Sequence, residues 1–208
     1  MGMRKIVLST GNKHKVEEIK DILKDINIEV LSKNDVDIEE FEVIEDGETL
    51  EANSIKKAQA LADKINYMVL ADDSGLFVDS LNGEPGVYSS RYAGEEGNDK
   101  KNNEKLLNNL KDIDDRSGSF RTIIALITED KKTYTVEGVC NGTIGFELKG
   151  HNGFGYDPLF VPDGYELTFS ELGDDIKNKI SHRALALNEL KIILEKLLKD
   201  ENNAYSSS

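Results

Sequence analysis

The stretch Lys5–Ile26, KIVLSTGNKHKVEEIKDILKDI, decides how the rest of the chain is read. KIVLS is short, β-branched and apolar, TGNKHK has the small and polar residues of a turn, and Val16, Ile19, Ile22, Leu23 and Ile26 then recur at helical spacing. Strand, turn and helix in that order open an α/β protein. Outward from there, Glu29–Leu31 reads as a second short strand and Asn34–Gly47 as an acidic loop. Leu50, Ile55, Ala58, Leu61, Ala62 and Ile65 mark a second amphipathic helix. Met68–Ala71 is a buried strand expected to end at Asp72, Asp73, Ser74 and Gly75, with Leu76–Val78 resuming an extended pattern. Asn82–Gly97, rich in glycine and holding a proline, reads as a structured loop, and Asn102–Ile113 as a helix with a narrow apolar face.

The pattern then changes from strand–helix to strand–strand. Phe120–Thr128 and Thr133–Cys140 flank a short polar turn, as in an antiparallel hairpin, and Thr143–Leu148 extends that sheet. Gly150–Tyr165 is a loop around a short strand at Leu159–Val161. Ser181 caps a last helix that turns Ala184, Leu187, Leu190, Ile193, Leu194 and Leu197 inward. The expected architecture is an elongated mixed β-sheet flanked by helices, with two lobes around a central substrate cleft. A single domain spans 1–201, and 202–208 form a polar tail.

Composition narrows the function. The 208 residues include 26 basic and 40 acidic ones, a net charge of −14. That charge opposes phosphate backbones, and no basic run offsets it, so nucleic acid is not an expected partner. No window approaches the ~20 apolar residues of a membrane span, and the N-terminus has no secretory pattern. Cys140 is the lone cysteine, which excludes an internal disulfide and a cysteine zinc site. His14, His151 and His182 are too scattered for a local metal motif, and a reducing, cytoplasmic setting is expected.

Four stretches could carry chemistry. Thr10, Gly11, Asn12, Lys13, His14 and Lys15 lie at a strand-to-helix turn whose N–H groups and lysines attract anions, although Thr and Asn cap helices in the same way and no GxxxxGK[ST] is present. Asp72 and Asp73 at a strand end could hold Mg²⁺ or activate a water, or simply cap a turn. If the strand persists they point to opposite sides, and only one faces a ligand. Phe154, Gly155, Tyr156 and Asp157 combine rings that stack on a base, a glycine that admits close backbone approach, and a hydrogen-bond acceptor; a packed turn has the same composition. Lys177, Lys179, Ser181, His182 and Arg183 form a cationic cluster at a helix start, where cations oppose the helix dipole unless something anionic compensates.

Taken together and in order, TGNKHK, ADDSGL…PGVYSSRYAG, GFGYDPLF and SHRALA resemble the inosine triphosphate pyrophosphatase family, the dITP/XTP or non-canonical purine nucleoside triphosphate pyrophosphatases, from about residue 5 to 198. The resemblance implies a Mg²⁺-dependent hydrolase, a homodimer, that releases pyrophosphate from ITP, dITP, XTP or dXTP. It implies that Thr10, Asn12 and Lys15, with Lys57 on the second helix, bind the triphosphate. Asp73 would be general base and Mg²⁺ ligand, Ser74 would touch substrate, and Glu45 would be the second metal carboxylate, with Glu42 and Asp46 as neighbours in register. Phe154, Gly155, Tyr156 and Asp157 would form the base pocket with Lys177, His182 and Arg183. Family members often have Glu directly before Asn53; here that residue is Ala52, with Glu51 one place earlier. Two alternatives stand beside this one: a pyrophosphatase for another modified nucleotide, and a catalytically silent purine sensor.

Overall fold

A computed structural model describes residues 3–36, 38 and 43–206, of which 200–206 are described as backbone only. Six strands form one sheet: β1 (Arg4–Leu8), β2 (Ile28–Ser32), β3 (Met68–Val78), β4 (Ser117–Ile127), β5 (Thr133–Ile144) and β6 (Phe160–Pro162). Their order is β2-β1-β3-β4-β5-β6. β1 pairs in parallel with β2 and β3, and the remaining neighbours are antiparallel. The parallel pairs need crossovers. These are supplied by α1 (Lys13–Leu23) and α2 (Leu50–Ala62), as the opening periodicity requires. The other helices are α3 (Asp99–Asn109), α4 (Phe169–Leu172), α5 (Asp174–Ile180) and α6 (His182–Ser206). α6 runs on into the stretch expected to be a tail, since no Gly or Pro follows Leu197 to break it.

Helices cover both faces of the β1-β3-β4 half. Ile6, Leu8, Met68, Leu70, Ile124 and Leu126 pack with residues of α1 and α6, while Val7, Val69, Ala71, Ala125 and Ile127 pack with Ala58, Leu61 and Ala62 of α2. A further cluster at the far end of β3, β4 and β5 joins Leu76, Val78, Phe120, Cys140 and Ile144 to Tyr92, Leu106, Tyr156, Phe160 and Phe169. The long strands thus carry two lobes. Gly138 lets α6 approach β5, because a Cβ there would lie 1.9 Å from the His182 carbonyl oxygen and 2.7 Å from the Ala186 nitrogen.

Two local expectations are corrected. β3 is continuous from Met68 to Val78, so Asp72 and Asp73 lie within a strand rather than at its end. Ten consecutive residues from Val69 to Val78 pair with β4, which satisfies the backbone through a sequence whose Asp, Ser and Gly resemble a turn. Lys177 and Lys179 belong to the last turn of α5, where the dipole favours cations, so only His182 and Arg183 stand at the start of α6. Ser181 does cap that helix, accepting from the Ala184 N–H at 3.2 Å.

Candidate active site

The side-chain alternation of β3 builds two different carboxylate sites. Val69, Ala71 and Asp73 share the face packed on α2, and Met68, Leu70 and Asp72 share the face packed on α1 and α6. On the α2 side, Lys57 Nζ lies 3.2 Å from Asp73 Oδ1 and 3.1 Å from Glu45 Oε2. Asn53, one helical turn before Lys57, donates to Asp73 Oδ2 at 3.1 Å and also accepts from the Gly47 N–H at 2.8 Å. Asn53 therefore ties the Glu45 loop to the carboxylate. Arg91 adds a second tie, donating to the Glu45 carbonyl at 3.0 Å. Burial raises the Asp73 pKa; Lys57 and Lys15 oppose that rise and Glu45 adds to it. Burial works against the Lys57 ammonium, but Asp73, Asp72 and Glu45 outweigh it and hold its pKa above the ordinary value.

On the other side, Asp72 Oδ2 receives Lys15 Nζ at 2.9 Å, Arg183 Nη2 at 3.1 Å and Ser74 Oγ at 3.2 Å. Arg183 also meets Glu18 of α1, whose other oxygen is 2.7 Å from Lys177 Nζ, and Lys177 reaches Asp157 Oδ2 at 2.6 Å. Three cations and three carboxylates are thereby interleaved out of solvent. Burial disfavours the charge on Asp72, yet Lys15, Arg183 and Lys57 override it and hold its carboxyl far below the usual range. Glu18 behaves alike, with Arg183 and Lys177 outweighing burial. For Lys15 burial prevails over Asp72, and its pKa is lowered.

Phe154 projects from a loop braced by Asp157, which accepts from the Phe154 N–H at 3.0 Å. Gly153 has φ +79°, and a Cβ on it would meet Asp157 Oδ2 at 2.3 Å, so only glycine fits. Tyr156 is buried in the far-lobe core with its hydroxyl donating to the Ser89 carbonyl at 2.8 Å, which leaves Phe154 as the partly exposed ring of this loop. His182 stacks on Phe120, centroids 4.8 Å apart and planes 11° from parallel. Burial, then Arg183 and Lys177, push its pKa well below 6.5 and keep it neutral; its Nδ1 is buried without a hydrogen-bond partner among the described residues.

One cleft of about 1260 Å³ joins these parts. Its lining includes Thr10, Gly11, Asn12, His14, Lys15, Glu45, Lys57, Asp73, Ser74, Phe154, Gly155, Tyr156, Asp157, Lys177, His182 and Arg183. Lys13 is exposed and outside it. Asn12 is occupied as a cap, accepting from the His14 and Lys15 N–H groups at 3.0 and 3.3 Å. Of the other acidic candidates, Asp46 also lines the cleft but pairs with Lys56 at 2.5 Å, and Glu42 lies outside the described residues. Sequence reasoning missed Asn53, Arg91 and Glu18. Two signals were available: Asn53 and Lys57 stand four apart on one helix face, and Glu18 stands three after Lys15 beside an apolar stripe.

Residues 6–193 match the Ham1 family. The dITP/XTP pyrophosphatase of Clostridium tetani (strain Massachusetts / E88) is 50% identical over 202 residues, covering 96% of this chain and 100% of that protein. The dITP/XTP pyrophosphatase of Haemophilus influenzae (strain ATCC 51907 / DSM 11121 / KW20 / Rd) is 50% identical over 192 residues, covering 90% and 97%. Among solved structures, the Staphylococcus aureus Ham1 protein superposes with a TM-score of 0.83 at 41% identity, covering 93% of this chain and 99% of that one.

Proposed function

The chain belongs to the Ham1 family, and from that premise we propose that it hydrolyses non-canonical purine nucleoside triphosphates, dITP and XTP foremost, to the monophosphate and pyrophosphate. The observation that carries this reading is the single cleft in which a buried carboxylate with a raised proton affinity, a lysine-bearing helix start and an aromatic ring beside cations all meet. Asp73 acts on the attacking water: its carboxylate orients the nucleophile toward the α-phosphorus and accepts its proton. Asn53 and Lys57, bonded to opposite oxygens of Asp73, fix the carboxylate's orientation for that task. Lys57 and Lys15 present positive charge to the phosphates, so that the departing pyrophosphate is stabilised in a chain of net charge −14.

Mg²⁺ fits this donor set. Asp73 and Glu45 are hard oxygen ligands brought within reach of one ammonium, and magnesium characteristically takes one or two carboxylates with substrate phosphates making up its shell. Accordingly, no cluster of three or more His, Cys, Asp or Glu able to hold a metal is required, and none occurs among the described residues. When bound by Asp73 and Glu45, the ion neutralises charge on phosphate oxygens. At the other end, Phe154 is the platform for the purine. Arg183 and the neutral His182 read its 6-keto edge, since a 6-amino group would leave buried donors unpaired at about 1–3 kcal/mol each.

The proposal includes a cytoplasmic homodimer. Exposed Phe146 and Leu148 leave apolar surface for a second copy. No helix among the described residues is long and apolar enough to cross a membrane. Pyrophosphate release from dITP, XTP, ATP, GTP and dTTP with Mg²⁺ present tests the function. Turnover of dITP and XTP far above that of ATP is expected, and equal turnover of ATP would end the 6-keto reading; the GTP rate reports whether the 2-position is read as well. Light scattering tests the dimer.

A further inference from the structure

We propose that His14 is a base-binding residue whose ring closes over the outer face of a purine seated on Phe154, so that the base is held between two aromatic rings. The inference rests on the reading of Phe154 as the base platform and supplies that subsite with its second wall. The His14 and Phe154 centroids are 5.3 Å apart with planes 13° from parallel. His14 comes from the first turn of α1 and Phe154 from the loop ahead of β6, so the stack bridges the cleft between its two walls.

The other groups about Phe154 indicate what an entering ligand meets first. Lys177 Nζ stands 4.6 Å and Arg183 Cζ 5.9 Å from the ring centroid. Their side chains are only 2% and 1% exposed, whereas His14 is exposed. A base entering from solvent therefore meets the His14 ring before it meets the buried cations.

Aromatic carbons pack at about 3.5 Å, so a base between two parallel rings needs them about 7 Å apart, and the His14–Phe154 pair falls about 2 Å short of that. The main chain of His14 is held by the Asn12 cap at 3.0 Å, whereas its exposed side chain turns on the fast rotamer timescale. Opening by side-chain rotation admits the base without rearranging the fold, and the near-parallel setting of the two rings suits a third ring between them. A stacked aromatic pair shifts an equilibrium by about 3- to 10-fold.

Steady-state kinetics of the full chain on dITP and calorimetric binding of IMP, with inorganic tripolyphosphate as a probe lacking a base, test the assignment. His14→Ala is expected to raise the KM for dITP and the Kd for IMP about 3- to 10-fold. It should leave kcat within about twofold and the tripolyphosphate inhibition constant unchanged, while His14→Phe restores both affinities and His14→Gln does not. A fall in KM would make the ring a plug, an unchanged KM would remove it from the base site, and an equal rise in the tripolyphosphate constant would make it a phosphate contact; each overturns the proposal. Phe154→Leu separates the two levels. If it weakens IMP while His14→Ala does not, only the His14 assignment fails; if it leaves IMP binding unmoved, the platform reading fails and His14 with it.

Discussion

On the α2 side of β3, Asp73 meets one lysine and one carboxamide with the cleft open before it; on the α1 and α6 side, Asp72 meets Lys15 and Arg183 with solvent excluded. The two carboxylates are adjacent in the chain and belong to environments that move their pKa values in opposite directions. On Asp73, burial outweighs its cations and favours proton uptake; on Asp72, several cations outweigh burial and make the charge permanent. In the proposed reaction the first site serves proton transfer. The other is a neutralised brace that aims Lys15, Lys177 and Arg183 at the cleft while limiting the cost of burying them.

The largest test of this contrast is Asp73→Asn. It should lower kcat by about 10²- to 10⁴-fold, the usual worth of a general base. The melting temperature should hold or rise, because a desolvated carboxylate is removed. A fall in melting temperature with kcat intact would reverse the roles given to the two sides. Next is Glu18→Ala, which leaves Lys177 and Arg183 with one carboxylate fewer in a buried network. It should cost about 3–5 kcal/mol in denaturant unfolding and raise KM more than it lowers kcat.

The pH dependence sharpens the comparison further. His182 has a folded pKa depressed below its unfolded value near 6.5, so its contribution is complete above pH 6.5. As pH falls below that, the unfolded chain takes up a proton that the folded chain refuses, and stability drops by up to about 1.4 kcal/mol per pH unit. Denaturant midpoints between pH 7.5 and 5 should show this slope, and His182→Gln should flatten it. Smallest is Lys56→Ala beside the site. Its exposed pair with Asp46 predicts kcat/KM within about twofold of wild type, where Lys57→Ala should lose most activity.

Much of this was legible in residue order. Hydrophobic spacing located β1, α1 and α2, and the hairpin of β4 and β5, because those segments bury one face and their periods are undisturbed. It missed α4 and α5, which are too short for a period to show, although Thr168 and Glu171 form the capping box that announces α4. It also placed a turn at Asp72–Gly75, since local propensity sees Asp, Ser and Gly but not the β4 partner that pairs with them.

By itself, the amino-acid order determined the α/β class, the family resemblance and about half of the residues that line the cleft, since local periodicity and short motifs are properties of neighbouring residues. That Asp72 and Asp73 point to opposite sides followed from strand alternation; only the tertiary structure decided which groups meet each and move their pKa values apart, that Asn53, Arg91 and Glu18 join the site, and that His14 stacks on Phe154. Those outcomes depend on which groups from distant segments are packed within a few ångströms and shielded from water, and burial and Coulomb interaction act through space, not along the chain.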